Sequence, residues 1–207
     1  MVDLCVKRYP ELEICREEMQ KAIDCLISCY EKSGQLLICG NGGSCADSEH
    51  IVGELMKGFL KKRPIPSEKR QKMTANMPQV APLLDNLQEG LSAIPLTSFA
   101  ALNSAFCNDV DPSMIYAQGV LALAKPGDVL LGLSTSGNSI NVVNAALVAK
   151  SLGVTVITMT GENGGKLRDI SDICIRVPAV ETYQVQELHL PVYHTLCAAV
   201  EEYFYAE

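Results

Sequence analysis

Apolar and polar residues alternate along this chain in two different rhythms that take turns. Across 10–30 the apolar positions Leu12, Ile14, Cys15, Met19, Ala22, Ile23, Leu26, Ile27 and Tyr30 recur at helical spacing, and Ser33-Gly34 closes the run. This predicts a long amphipathic N-terminal helix, about 8–33, whose apolar stripe suits its own sheet and a subunit contact equally well. Leu36-Leu37-Ile38-Cys39 then forms a continuous apolar run, which reads as a buried strand. Gly40-Asn41-Gly42-Gly43-Ser44 follows it and leads into a helical segment that reaches Leu55. Four more strands are predicted at 91–96, 129–133, 154–159 and 173–177. Helices fall between them at 98–106, 112–124, 142–152 and 163–170, and a last helix covers 181–203. Strand-then-helix units repeated in this way imply an α/β fold, a parallel sheet covered on both faces, with ligands gathering at the carboxyl ends of its strands.

One segment breaks the rhythm. Residues 57–88 carry KKRPIPSEKRQKM and several prolines, and predict an inserted loop or lid at about 61–87 with a short helix at 82–88. Lys57, Lys61, Lys62 and Arg63 form a basic cluster here, readable as help for a phosphate or as solvated surface. Solvent is the expectation for all but Lys57. With 207 residues and no break in composition, the chain is expected to be a single domain, 1–207.

The candidate chemistry sits where strands give way to helices. In the first glycine turn, backbone N–H groups are left free at the positive end of a helix, and the absent side chains of Gly42 and Gly43 let an anion approach. Phosphate is the expected guest. Further along that helix His50 and Glu54 lie four residues apart, on one face, as a metal-ligand or acid/base pair. A second loop, Ser134-Thr135-Ser136-Gly137-Asn138-Ser139, sets four hydroxyls and a glycine at the end of a strand. It reads as an anion nest, the alternative being an ordinary serine-capped helix. It lacks the Lys-Ser/Thr pair of a P-loop, so nucleoside triphosphate chemistry is not indicated.

The last helix carries Gln186, His189 and His194. Gln186 and His194, eight residues apart, reach one cavity, with His189 pointing aside, and Pro191 is placed to kink the run. A histidine on an apolar helix is ordinarily structural, yet His50, Glu54, Gln186 and His194 together offer two nitrogens and two oxygens, a zinc-like set. Asp109 reads as a cap or turn residue.

A net charge of -7 and a pI near 5.0 leave no basic stripe, which argues against direct binding of nucleic acid. The N-terminal residues are charged throughout, and no apolar run is long enough to cross a bilayer, so a cytoplasmic protein is expected. The nine cysteines are odd in number and scattered among apolar neighbours, as at Cys39, Cys107, Cys174 and Cys197, which predicts reduced core thiols. Cys25 and Cys29 share a helix face, where packing is the expectation. Cys45, beside the glycine turn, is the thiol to test for reactivity, although an inert role is favoured there too.

Taken together, GNGGSCADSEH with Glu54, STSGNS, and QELHLPVYH resemble the sugar isomerase (SIS) domain family, and within it the phosphoheptose (sedoheptulose 7-phosphate) isomerases. The resemblance runs from the first helix to the C-terminus, leaving out 61–87. It implies a three-layer αβα sandwich around a five-stranded parallel sheet, a homotetramer with active sites shared between subunits, and aldose–ketose isomerisation of a heptose phosphate. It also implies residue roles. Ser134, Thr135, Ser136 and Ser139 form the phosphate loop, Asn41 and Ser44 contact the sugar beside Gly42 and Gly43, and Asp109 is the substrate-side aspartate. Glu54 is the base and His194 the acid, while His50, Glu54, Gln186 and His194 occupy the zinc-binding positions. In two places the sequence departs from the family. Lys57 stands near where an arginine commonly follows the helix glutamate, and Thr182 and Tyr183 stand where some members carry an aspartate. The rival expectation is a non-catalytic SIS protein that binds a sugar phosphate or a protein partner such as the replication initiator. Such a protein would not need a base and an acid opposite a phosphate loop.

Overall fold

The computed structural model describes residues 1–206. Five strands, β1 (Leu36–Gly40), β2 (Ala93–Pro95), β3 (Val129–Leu133), β4 (Thr155–Thr160) and β5 (Ile173–Arg176), form one sheet in the order β2-β1-β3-β4-β5. Every neighbouring pair is parallel. The helices are α1 (Val2–Arg8), α2 (Arg16–Glu31), α3 (Gly43–Met56), α4 (Ser67–Asn76), α5 (Ala100–Asp109), α6 (Ile115–Leu123), α7 (Ile140–Ser151), α8 (Leu167–Ile170) and α9 (Thr182–Tyr205).

Because successive strand side chains point to opposite faces, the central strands supply two cores. Leu36, Ile38, Leu131 and Met159 pack with α2, α3 and α9 on one side. Leu37, Cys39, Leu130 and Val156 pack with α6 and α7 on the other. The result is the three-layer αβα sandwich that the strand–helix repeat implies. β1 and β3 lie side by side at the centre, so the two glycine/serine loops that leave their carboxyl ends become neighbours.

Several boundaries differ from expectation for local reasons. The N-terminal helix is not continuous from residue 8. Tyr9 leaves helical conformation, Pro10 opens a 3-10 turn over Pro10–Cys15, and only then does α2 begin. β2 is shorter than 91–96, since Pro95 has no N–H to donate and is tolerated because the strand lies at the sheet edge. In the 57–88 segment no helix forms at 82–88. Helix α4 forms instead from the good helix formers after Pro66, and Pro78–Leu83 makes a 3-10 turn containing Pro82. Pro191 does not interrupt α9, and its carbonyl accepts from Thr195 Oγ1 at 2.7 Å.

All nine cysteines are free thiols; Cys107 is exposed on α5 rather than in the core, while Cys39 and Cys197 are buried as expected. His189 points aside from the cavity, as expected, and is fully buried in the core. Arg63, expected in solvent with its basic neighbours, is 1% exposed.

Candidate active site

A cavity of about 350 Å³ opens where the two loops meet, lined by Asn41, Gly42, Gly43, Ser44, Ser134, Thr135, Ser139, Thr182 and Gln186 together with Leu133. Three helices, α3, α7 and α9, begin at its wall. Free N–H groups and the positive ends of three helix dipoles therefore face a space that no lysine or arginine lines, a setting suited to a compact anion. Inside the second loop, Ser134 Oγ donates to Ser139 Oγ at 2.9 Å, and the Gly137 N–H donates to the Ser134 carbonyl at 2.9 Å, which closes the turn. Gly137 has φ +66°, a conformation that favours glycine. At Gly43 the reason for glycine is space, since a Cβ there would lie 2.6 Å from Gln186 Nε2.

On α3 and α9, farther from those N-termini, three side chains converge. His50 Nε2 lies 3.0 Å from Glu54 Oε1 and 3.5 Å from His194 Nε2, and one ligand atom from each residue falls within 4.8 Å of the others. Glu54 Oε2 is buried with no hydrogen bond, and Lys57 Nζ stands 3.6 Å from it. Burial first, and the nearby His50 second, push the His194 pKa below the usual histidine value, against the pull of Glu54. Two facing imidazole nitrogens repel unless a proton or cation lies between them. Two nitrogens, a carboxylate oxygen and an orphaned second oxygen thus fit a divalent ion such as zinc.

The site is braced from behind. Tyr193 places its hydroxyl 3.0 Å from His50 Nδ1 and 3.2 Å from Asp47 Oδ1. Arg63 donates from Nη2 to the Glu54 carbonyl at 3.1 Å and from Nη1 to the Leu55 carbonyl at 2.6 Å, so it caps the last turn of α3. Asn41 exchanges two amide hydrogen bonds of 2.9 Å with Asn141, and Tyr116 donates to the Gly40 carbonyl at 2.6 Å. These contacts hold the glycine turn in place.

Most of the expected residues meet here. Asn41, Gly42, Gly43, Ser44, Ser134, Thr135, Ser139 and Gln186 share the cavity, while His50, Glu54 and His194 share the trio. Ser136 is exposed, outside the lining, and its Oγ accepts from the Asn138 N–H at 3.2 Å. Asp109 ends α5, exposed, and accepts from the Asn108 side chain. Sequence reasoning missed Asp47, Asn141, Tyr193 and Glu201, and placed Arg63 in solvent, because these residues act on other protein groups and carry no motif of their own. Asp47 alone left a signal, a carboxylate three residues before His50 on one helix face.

Two family models described as SIS domain match the chain, one over residues 11–92 and one over 99–199. The first spans the 61–87 segment as well. A phosphoheptose isomerase of Rhodospirillum rubrum is 37% identical over 188 residues, covering 91% of this chain and 87% of the relative. Among solved structures, a phosphoheptose isomerase from Neisseria gonorrhoeae aligns with a TM-score of 0.76 at 29% identity, over 97% of this chain and 94% of that one. Another from Francisella tularensis aligns with a TM-score of 0.78 at 29% identity, over 94% and 91%.

Proposed function

The chain belongs to the SIS-domain family and, within it, to the phosphoheptose isomerases, and from that membership we propose that it interconverts sedoheptulose 7-phosphate and glycero-manno-heptose 7-phosphate. One observation carries the reading. A carboxylate from α3 and an imidazole from α9 converge on the same two helices whose N-termini wall an anion cavity. The helical rise from Ser44 to His50 is roughly 9 Å, comparable with the reach of an extended sugar chain from its phosphate to its carbonyl end.

In this reading the phosphate sits among the N–H groups of the glycine turn and the hydroxyls of Ser134, Thr135 and Ser139, which fixes the substrate's orientation. Glu54 removes a proton from C1 of the ketose while His194 supplies one to O2, giving an enediol. Removal of the proton on O1 and return of one to C2 yields the aldose, with no net gain or loss of atoms. Acid–base groups placed in this way contribute on the order of 10²–10⁴-fold each. When bound by His50, Glu54, His194 and Gln186, a zinc ion supplies Lewis acidity at the carbonyl and its neighbouring hydroxyl.

The proposal extends to assembly and location. Helix α5 buries none of its residues and Val110 after it is 66% exposed, which supports a homotetramer in which α5, with Asp109 at its end, reaches an adjoining copy's site. Nine free thiols and a helix set with no candidate membrane span among the described residues support work in the cytoplasm.

The test is turnover of sedoheptulose 7-phosphate by the purified chain, followed by NMR of the aldose signal, alongside ketose phosphates of five and six carbons. The seven-carbon substrate is expected to react fastest. No reaction with any of them, in the presence of added zinc, would remove the isomerase reading.

A further inference from the structure

Three residues of α3, Asp47, His50 and Glu54, are spaced three and then four apart, so they stand on one helical face. Tyr193, next to His194 on α9, inserts between the first two. Its hydroxyl is 3.2 Å from Asp47 Oδ1 and 3.0 Å from His50 Nδ1. The residue is 1% exposed, which limits competition from water. Its ring packs edge-on against both imidazoles, at centroid distances of 5.4 Å to His50 and 5.0 Å to His194.

A phenol has one proton to donate, and an ionised carboxylate only accepts. When the Tyr193 proton points to Asp47, the phenol oxygen offers His50 a lone pair alone. His50 Nδ1 must then carry the hydrogen. In a neutral imidazole that leaves Nε2 bare, and Nε2 is the nitrogen that faces Glu54 Oε1 at 3.0 Å and His194 Nε2 at 3.5 Å. Without Asp47 the phenol is free to donate to Nδ1 instead. The imidazole hydrogen would then move to Nε2, into the space where a cation must sit.

We propose that Asp47 and Tyr193 form an outer relay that sets the tautomer and ring plane of His50, so that its Nε2 lone pair is presented to a cation held with Glu54 and His194. The inference rests on the reading of those three side chains as the cation-holding group. Tyr193 is a positioning residue in this scheme, acting through His50 and not on the substrate.

Two measurements on the full-length chain test it. The first reads the tautomer with no cation present, by nitrogen NMR of the three histidines at alkaline pH. Because Nε2–H can donate to Glu54 Oε1 when no cation is bound, the readout is the difference between the two chains: Asp47→Ala is expected to shift the His50 population from the Nδ1-protonated towards the Nε2-protonated form. The second titrates the metal-free chain with Co²⁺ and follows its visible absorption. Tyr193→Phe, which keeps the ring, and Asp47→Ala are each expected to weaken Co²⁺ binding by about 10–100-fold. The double variant is expected to be no weaker than Tyr193→Phe alone, since both substitutions break one relay. His50→Ala is expected to abolish the signal.

If Tyr193→Phe binds Co²⁺ as tightly as wild type while His50→Ala does not bind it, the relay is overturned and the cation site stands. Additive losses in the double variant, or a His50 tautomer ratio that Asp47→Ala leaves unchanged, also overturn it. Failure of wild type to bind Co²⁺ at all overturns the cation reading and the relay with it.

Discussion

Arg63 and Glu201, 138 positions apart in the chain, form an ion pair of 2.8 Å whose side chains are 0% and 1% exposed. The Glu201 carboxylate also accepts the backbone N–H groups of Phe59, Leu60 and Lys61, at 2.8, 2.7 and 3.1 Å. Burial raises the Glu201 pKa, but the Phe59 and Leu60 amides and Arg63 outweigh it, so the net shift is downward. Arg63 in turn caps α3 beside Glu54 and lies 4.7 Å from the centroid of the Tyr205 ring. The pair joins the end of α3 to the last turns of α9.

Breaking this pair from one side is expected to be severe. Arg63→Met leaves Glu201 buried without its cation and should cost about 3–5 kcal/mol in urea unfolding. Replacing both partners, Arg63→Met with Glu201→Leu, should recover part of that loss, the unpaired loop amides keeping the recovery incomplete. A single-variant cost under about 1 kcal/mol would contradict the clamp.

Glu54→Gln keeps the shape of the side chain and removes the carboxylate proposed as the base. Turnover should fall by about 10²–10⁴-fold, while affinity for inorganic phosphate, measured calorimetrically, stays within about twofold of wild type. Loss of both together would place Glu54 in binding or folding instead.

Gly43→Ala probes the wall between cavity and α9. The added methyl must displace the Gln186 amide, which already stands where a Cβ would come within 2.6 Å. KM for the sugar phosphate is expected to rise about tenfold or more, equivalent to about 1.4 kcal/mol of lost binding. A KM equal to that of wild type would show that Gln186 swings aside freely.

His189 predicts a pH effect on stability. Neither ring nitrogen makes a hydrogen bond of good geometry, and burial holds its pKa down at about 4, only partly opposed by a weak contact with the Thr160 backbone. Unfolded, the ring takes up a proton near the ordinary histidine value, so the unfolded state gains protons first as pH falls. This group therefore removes stability between about pH 6.5 and 4, on the order of 3 kcal/mol in all, and nothing further below that window. Urea midpoints of wild type and His189→Met at pH 7 and pH 4.5 would measure it. The variant should lose less on acidification, and an equal loss would assign the effect to other groups.

Chelation should test the cation at the level of the whole chain. If zinc is bound at 100 times its Kd, stripping it should lower unfolding free energy by about 2.7 kcal/mol and stop turnover, with zinc restoring both. In His50→Ala, chelator should change neither stability nor the residual rate.

Much of this molecule was legible from residue order. Buried strands such as Leu36–Gly40 and Val129–Leu133 are apolar at every position, because a parallel strand covered on both faces has no solvent side to mark. The loops GNGGS and STSGNS announced themselves through glycine and hydroxyl density, and they do line one cavity. Helix α4 was not legible, since the prolines and charges around it imitate an irregular loop and none of its residues is buried to give a stripe. Ser136 looked equivalent to its three hydroxyl neighbours, and only the turn at Gly137 sends it outward.

Residue order alone settled the αβα class, the parallel sheet, the two glycine- and hydroxyl-rich loops and the chemistry on offer from His50, Glu54, Gln186 and His194. Those features depend on local periodicity and residue type, which neighbours in the chain settle. Tertiary structure alone decided that His194 faces His50 at 3.5 Å, that His189 is sealed in the core and that Arg63 turns inward to Glu201. Each of these contacts links residues far apart in the chain or a side chain to the packed interior, and the direction a side chain takes there is set by the packing of α9 against α3, which residue spacing does not encode.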